Sequence, residues 1–498
     1  MYFLKFNTKI YDNVVFAIPF VIFAILHIFR PLNTGIYHDD WFHLYAPLLM
    51  SPLELDHFLL YEIGGRPLYA FALFLIYKYW NGNIPFLTIM MSIIVGITAI
   101  SLYFFIKKLF DNENNNKKIS SLCVSIWISI PWGLGYSLWP TACITLIGLS
   151  FFLWSQFYAI DYFQTGKKYK LIIISVLMIL SFAMYQAMYL SFISTILYLY
   201  AKNDINSKSN IKRLIEIAII SIIIQIIFVY ISKQYSGKTI DSNILLMITN
   251  ILYHFPKAII ATFGIFIFLP LIVIYYIFKE NKAQILNDKK IIIIFLISIF
   301  VSMHLFTFAG YAISGIGVFS RTTMGINIWI VVFIGRIILN IVNKTEEDGK
   351  IEQLFNKLFI FIMILTAATI NQTLYWQKSW KRQNEILNSI PYVELLKLPD
   401  KSIVILNEPL DLNGITVFGA SWDITSAIYA RNEMSEIRHY KYRPLFVPFN
   451  NRIIRENDDG LMIDNIYYKE EYVWVYNTNN ETINNYKDGR DLLWKLSE

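Results

Sequence analysis

Long apolar runs recur along the first three-quarters of the chain, and they leave it few ways to fold. A helix that crosses a bilayer needs about 20 apolar residues, or fewer where neighbouring helices or local thinning help. Runs of this kind lie near 12–30, 85–106, 119–136, 141–160, 170–184, 187–201, 213–232, 257–278, 291–309, 323–342 and 357–376. Within lipid, backbone N–H and C=O groups must find partners inside their own segment, so each run predicts a helix. The expected fold is an all-α polytopic membrane protein of about 11 transmembrane helices. Composition excludes the main alternatives. Only 16% of the 498 residues are charged and 56% are hydrophobic, whereas a soluble domain is about a quarter charged. The net charge of +7 is no nucleic-acid footprint, because the lysines fall in short loops between apolar runs, as an orientation signal does. Cys123 and Cys143, the only cysteines, sit in or beside apolar runs. They lack disulfide or metal spacing and read as small apolar residues. No small-residue cleavage site follows the first run, which reads as a retained anchor.

One further apolar run, Pro67 to Trp80, has only about 14 residues, short for a span. Whether it crosses decides the sidedness of every later loop, and the positive-inside rule discriminates. With the run kept at the surface or re-entrant, the N-terminus and the loops 107–118, 161–170, 202–213, 279–290 and 343–357 fall inside. Together with Arg336 they carry roughly 21 Lys and Arg, against about six in the short outer loops. A crossing would move most of that charge outside. The expected arrangement is therefore an N-terminus inside and a long outer loop at 31–82 that carries surface helices. The C-terminal part is expected outside.

Residues 377–498 change character. Apolar runs shorten, charge rises, and alternation of strand type appears in KSIVIL (401–406) and YVWVYN (472–477). SWDITSAIYARNEM (421–434) predicts a helix, and 451–465, with Asp458-Asp459-Gly460 inside it, predicts loop and turn. The expectation is a small α/β extracytoplasmic domain at 377–498 after a membrane domain at 1–376. No P-loop, GxGxxG or zinc signature is present.

Polar chemistry concentrates after the first span. Residues 31–69 hold Asp39-Asp40, His38, His43, His57, Glu54 and Glu62, and a Gly64-Gly65-Arg66-Pro67 turn. A carboxylate in a loop can remove the proton of an attacking hydroxyl as an oxocarbenium-like state develops. Adjacent residues of an extended loop face opposite ways, so one aspartate can meet an acceptor while its neighbour orients the loop. The structural alternative is a helix cap. Arg66 suits a phosphate in fork geometry, or a snorkelling cation paired with Glu62. Arg321, just before a span, has the same two readings. Tyr185-Gln186 breaks an apolar stretch at its outer bend and reads as a sugar contact or as a structural hydrogen-bonding pair. The aromatic loop 131–140 reads as interfacial belt residues or as sugar-stacking platforms. The histidine and acid spacings fit no standard metal pattern, so no cofactor is expected, though a divalent metal stays open.

Tyr37-x-Asp39-Asp40 after a first span, Gly65-Arg66-Pro67-Leu68, Tyr185-Gln186, many further spans and an outer C-terminal domain resemble the GT-C glycosyltransferases. Within that class they are most similar to the bacterial O-antigen-modifying, serotype-converting glucosyltransferases. The resemblance implies a multi-pass protein of the bacterial inner membrane. It implies transfer of a hexose, glucose in that family, from a polyprenyl-phosphate donor to a cell-surface glycan such as O-antigen. Asp39 or Asp40 would be the general base. His43, Glu62, Arg66, Tyr185, Gln186 and Arg321 would bind substrate, among membrane lipids and with no nucleic acid. The chain departs from the family where a basic residue is expected after the acidic pair, since it reads Trp41-Phe42-His43. It also lacks an aspartate in 131–140. Two other activities remain open: a transporter or flippase for lipid-linked sugars, and an O-antigen polymerase or ligase. A transporter more often carries mid-membrane carboxylates and repeated halves.

Overall fold

The computed structural model describes residues 17–28, 35–37, 40–41, 43, 66–80, 83–111, 113, 115–202, 208–236, 293–294, 297–298, 301–302, 321, 323–344, 348–391, 397–399, 402–406, 411–412, 414–419, 421–431, 445–448, 454–457, 460–463, 466–478 and 481–486. Helices dominate to residue 389. They are α1 (Ala17–Ile28), α2 (Pro67–Trp80), α3 (Ile84–Leu109), α4 (Asn116–Ile128), α5 (Pro140–Thr165), α6 (Tyr169–Met184), α7 (Phe192–Lys202), α8 (Lys208–Ser236), α9 (Met324–Lys344) and α10 (Asp348–Ser389). Among the described residues, five helices are long and apolar enough to cross a bilayer: α3, α5, most of α8, α9 and the body of α10. α1, α6 and α7 are apolar but shorter. The expected runs at 257–278 and most of 291–309 lie outside the described residues. Exposed apolar stripes mark the lipid-facing sides, as with Ile89, Ile93, Ile97 and Ile100 on α3. Such continuous stripes exceed what water-soluble monomers display, and the chain is a membrane protein.

Start and stop signals set the helix ends. The Asn83 side chain accepts from the Phe86 N–H at 3.1 Å and Pro85 fills the first turn of α3. Gly166, at φ +68°, closes α5 in the left-handed region. The expected span at 119–136 is corrected. α4 stops at Ile128, and a bend, a short 3-10 turn (Pro131–Gly133) and one helical turn (Gly135–Leu138) follow. Pro131 has no N–H to continue the ladder. The Ser129 carbonyl released there accepts from the Thr369 hydroxyl of α10 at 2.7 Å. Small residues let the helices close up. A Cβ on Gly148 of α5 would lie 2.7 Å from Met184 Cβ of α6, and one on Gly335 of α9 would lie 2.5 Å from Cys123 Sγ of α4.

Alternation of helix direction puts Lys107, Lys108, Lys117, Lys118, Lys168, Lys170, Arg213 and Arg336 at one end of the bundle. Acids at that end are paired. Asp161 meets Lys108 (3.3 Å) and Lys170, and Glu113 meets Arg336 (3.1 Å). Glu216 takes Lys168 and the Tyr162 hydroxyl. Hydrogen bonds that the exposed Lys168 ammonium gives to Glu216 and Tyr162 hold it above its ordinary pKa. α2 belongs to the opposite end. Its Tyr69, Ala70, Leu73 and Ile76 share a core with Leu87, Ile144 and Met184, all near that end of α3, α5 and α6. Its Tyr69 hydroxyl also reaches the Thr141 carbonyl at the start of α5.

α10 runs through residue 377 without a break, so the expected domain boundary falls inside a helix. At 1.5 Å per residue it is ~63 Å long, about twice a bilayer core. Its far part carries the C-terminal region. β2 (Asp411–Leu412) and β3 (Ile415–Thr416) form a small antiparallel pair, and a separate sheet of order β4-β1-β8-β9 has β1 (Ile403–Leu406) inside it, parallel to β4 (Leu445–Pro448) and β8 (Val473–Asn477). β9 (Thr482–Asn485) pairs antiparallel with β8. One face, with Val404, Leu406, Phe446 and Tyr476, packs on α11 (Ser421–Arg431) and on Ile386, Leu387 and Ile390 at the end of α10. The other, with Ile403, Ile405, Val447, Val473 and Val475, covers Leu461 and Tyr486. Segment 451–465, expected as loop, instead contains β5 (Ile454–Asn457) and β6 (Gly460–Ile463), paired Ile454↔Ile463 to Asn457↔Gly460. Asp458-Asp459 separates them, so the turn signal joins two strands of a hairpin, and β7 (Ile466–Lys469) completes that sheet.

Candidate functional site

The start of α5 lacks a cap of its own. Its N-cap residue is Trp139, whose side chain makes no capping bond, and Pro140 follows. The free Thr141 N–H is met from 101 residues away by Asp40, whose Oδ1 accepts it at 2.9 Å. Asp40 Oδ2 accepts the Tyr37 N–H at 2.8 Å, and the Asp40 N–H donates to the Tyr37 carbonyl at 3.0 Å. Asp40 is fully buried. A carboxylate at a helix N-terminus suits both the open donors and the macrodipole. Each of its oxygens holds a main-chain N–H, so Asp40 ties the loop after α1 to the first turn of α5.

The same loop is seated on α10. The Tyr37 hydroxyl donates to the Trp376 carbonyl at 2.6 Å, and the two rings meet edge-to-face at 4.7 Å. Trp41 Nε1 donates to Gln383 Oε1 at 2.9 Å, and its ring stacks on Trp380 at 6.0 Å. Trp376, Trp380 and Gln383 lie at i, i+4 and i+7, one face of the helix. Gly35 makes the fit possible. Its φ is +80°, and a Cβ there would fall 2.1 Å from Trp380 Cδ2.

Two cations border this point. Arg66, at the start of α2, stands over the rings of Tyr69 (5.9 Å) and Tyr185 (5.4 Å). The Tyr69 hydroxyl donates to the Thr141 carbonyl at 3.2 Å. One residue of α5 thus takes Asp40 on its N–H and Tyr69 on its C=O. Arg321 lies 4.4 Å above the Trp139 ring, beside the same helix start. Asp40, Arg66, Tyr185 and Arg321, far apart in sequence, gather around the first turn of α5. Tyr185 itself is extended (φ −158°, ψ 136°) between α6 and a 3-10 turn at Gln186–Ser191, so the expected bend is present. His43 is half-buried two residues past Trp41. Asp39 and Glu62, with Glu54, His38 and His57, lie outside the described residues, as does the Gln186 side chain. Among the described residues no cluster of three His, Cys, Asp or Glu could hold a metal.

The 131–140 aromatics differ from both readings of the sequence. Trp132, Tyr136 and Trp139 are buried, because the break after α4 folds this segment inward. Trp139 turns its ring to a cation, Arg321. Residues that sequence reasoning passed over are Gly35, Tyr69, Thr141, Trp376, Trp380 and Gln383. For the α10 trio, helical spacing was the available signal. For Thr141 there was none, since its role lies in a main-chain N–H. No protein-family model matches this chain, and no curated protein matches it in sequence.

Proposed function

We propose that the chain is a GT-C-type hexosyltransferase. It moves a hexose from a polyprenyl-phosphate donor to a cell-surface glycan at the outer face of a bacterial inner membrane, with inversion at the anomeric carbon. The observation that carries this reading is the gathering of Asp40, Arg66 and Arg321 at one helix start, at the end of the bundle opposite the lysines. The positive-inside rule makes the lysine-rich end cytoplasmic.

In the reaction, the acceptor hydroxyl loses its proton to a carboxylate and its oxygen bonds to the anomeric carbon. The bond from that carbon to the phosphate oxygen breaks, and the electron pair leaves on the polyprenyl phosphate. That leaving group gains a negative charge in the transition state, which is where cations contribute. Arg66 and Arg321 fill this role. Asp40 spends both oxygens on main-chain donors and acts as the orienting member of the acidic pair, which leaves Asp39 as the base. Tyr185, Gln186, His43 and Glu62 line the substrate, and the C-terminal region binds the acceptor glycan.

The test compares surface glycans from cells with and without the gene. Loss of a side-branch hexose is the expected result. Loss of polymer length would point to a polymerase, and sugar flux in proteoliposomes without covalent product to a flippase.

A further inference from the structure

The segment that carries Arg321 and the segment that carries Trp139 are held by one side chain. Asn327, in the first turn of α9, is fully buried. Its Oδ1 accepts from Trp132 Nε1 at 2.8 Å. Its Nδ2 donates to the Tyr136 hydroxyl at 3.0 Å and to Thr323 Oγ1 at 3.1 Å. Thr323 Oγ1 in turn donates to the Trp132 carbonyl at 3.3 Å. Both amide hydrogens and the carbonyl oxygen are therefore in use, inside a core where a lost partner is expensive. Gly133 is shaped to this knot, since a Cβ there would stand 2.3 Å from the Tyr136 hydroxyl oxygen and 2.8 Å from Asn327 Nδ2.

The knot has two outlets. Through Thr323 it reaches Arg321, two residues upstream. Through Trp132 and Tyr136 it fixes the turn that ends at Trp139. These are the two partners of the 4.4 Å cation–ring contact at the start of α5. We infer that Asn327 is a positioning residue for the anion site, setting where the Arg321 guanidinium stands relative to Trp139. It touches no substrate itself. The inference rests on the proposed role of Arg321 toward a lipid phosphate.

The experiment uses the full chain in lipid nanodiscs, with a long-chain polyprenyl phosphate that carries no sugar as the binding probe and the hexose-loaded lipid for kinetics. The variants are Asn327→Ala, the near-isosteric Thr323→Val, which opens one outlet and keeps the fold if the amide is too central to lose, and Arg321→Ala. Expected is an affinity for the probe about tenfold weaker in each single variant. Donor KM rises to match, and kcat falls with it, because the guanidinium also meets the charge that develops on the leaving phosphate. In the Arg321→Ala background, neither Asn327→Ala nor Thr323→Val weakens binding further, because both act through the guanidinium. Losses that add to that of Arg321→Ala, a fall in kcat at constant KM, or a wild-type chain that does not bind the probe would each overturn the inference. Coupled loss of binding in a chain that transfers no hexose would overturn the transfer reading and leave the positioning role standing. Normal transfer with additive losses would do the reverse.

Discussion

In the proposed reaction Asp40 and its neighbour Asp39 divide two kinds of carboxylate work that a sequence writes identically. The buried Asp40 holds the N–H groups of Tyr37 and Thr141. Asp40→Asn turns an amide NH2 toward one of those donors, with an expected loss of ~1–3 kcal/mol and a lower Tm for the full chain. Asp39→Asn should abolish hexose transfer with the Tm little changed. Equal Tm losses in the two variants, or full transfer by Asp39→Asn, would refute this division of roles. Gly35 gives a second residue-scale prediction. Gly35→Ala forces a left-handed φ and a clash with Trp380, and should cost ~2 kcal/mol or more. A Tm equal to wild type would show that the loop does not need this seat. Neither residue's role was legible from the chain alone. HDDW reads equally as a cap or as a base, and the residue it caps lies 101 positions downstream.

Among the elements, hydropathy found the long helices whether they present a stripe to lipid, as α3 and α8 do, or lie mostly buried in the bundle, as α5 and α9 do. It failed where a proline breaks an apolar run. The 119–136 run stays apolar through Ile130, Trp132, Leu134 and Tyr136, but its second half is a folded turn under α9 and α10, broken at Pro131. Strand alternation found β1 and β8 and missed β5–β6, where polar residues alternate too weakly to stand out from a turn. The junction of α10 and β8 supplies a test that depends on pH. The Tyr476 hydroxyl donates to the Ser389 carbonyl at the end of α10, and burial pushes its phenol above the ordinary value of 10.0. The folded chain then keeps a proton that the unfolded chain loses. The contribution is complete below pH ~10 and falls as the pH climbs from there toward the folded value. Tyr476→Phe should lower stability by ~1 kcal/mol at neutral pH and flatten the alkaline decline in Tm. A decline as steep as that of the wild type would assign it to other groups.

Across the whole molecule, charge asymmetry and the gathered site make one prediction about sidedness. Both native cysteines are buried, so single introduced cysteines report cleanly. Lys381, 81% exposed on α10 within the stretch that seats the loop, should react as Lys381→Cys with a membrane-impermeant maleimide on intact cells. Lys168→Cys, at the lysine-rich end, should react only after permeabilisation. The reverse pattern would put the gathered site in the cytoplasm and sink the proposed donor chemistry there. The sequence carries an expectation of orientation because lysine placement obeys a global rule, and this labelling tests it. The gathering of Asp40, Arg66 and Arg321 was not legible there, because it depends on which helix ends meet.

The unbroken course of α10 from Asp348 to Ser389 makes it a shaft with a phase. Each added residue turns everything beyond it by about 100° and raises it by about 1.5 Å. The loop seat at Trp376, Trp380 and Gln383 and the sheet contacts at Ile386, Leu387 and Ile390 are keyed to that one shaft. The height and heading at which the C-terminal region stands relative to the loop after α1 are therefore set by residue count, as on an indexed axle.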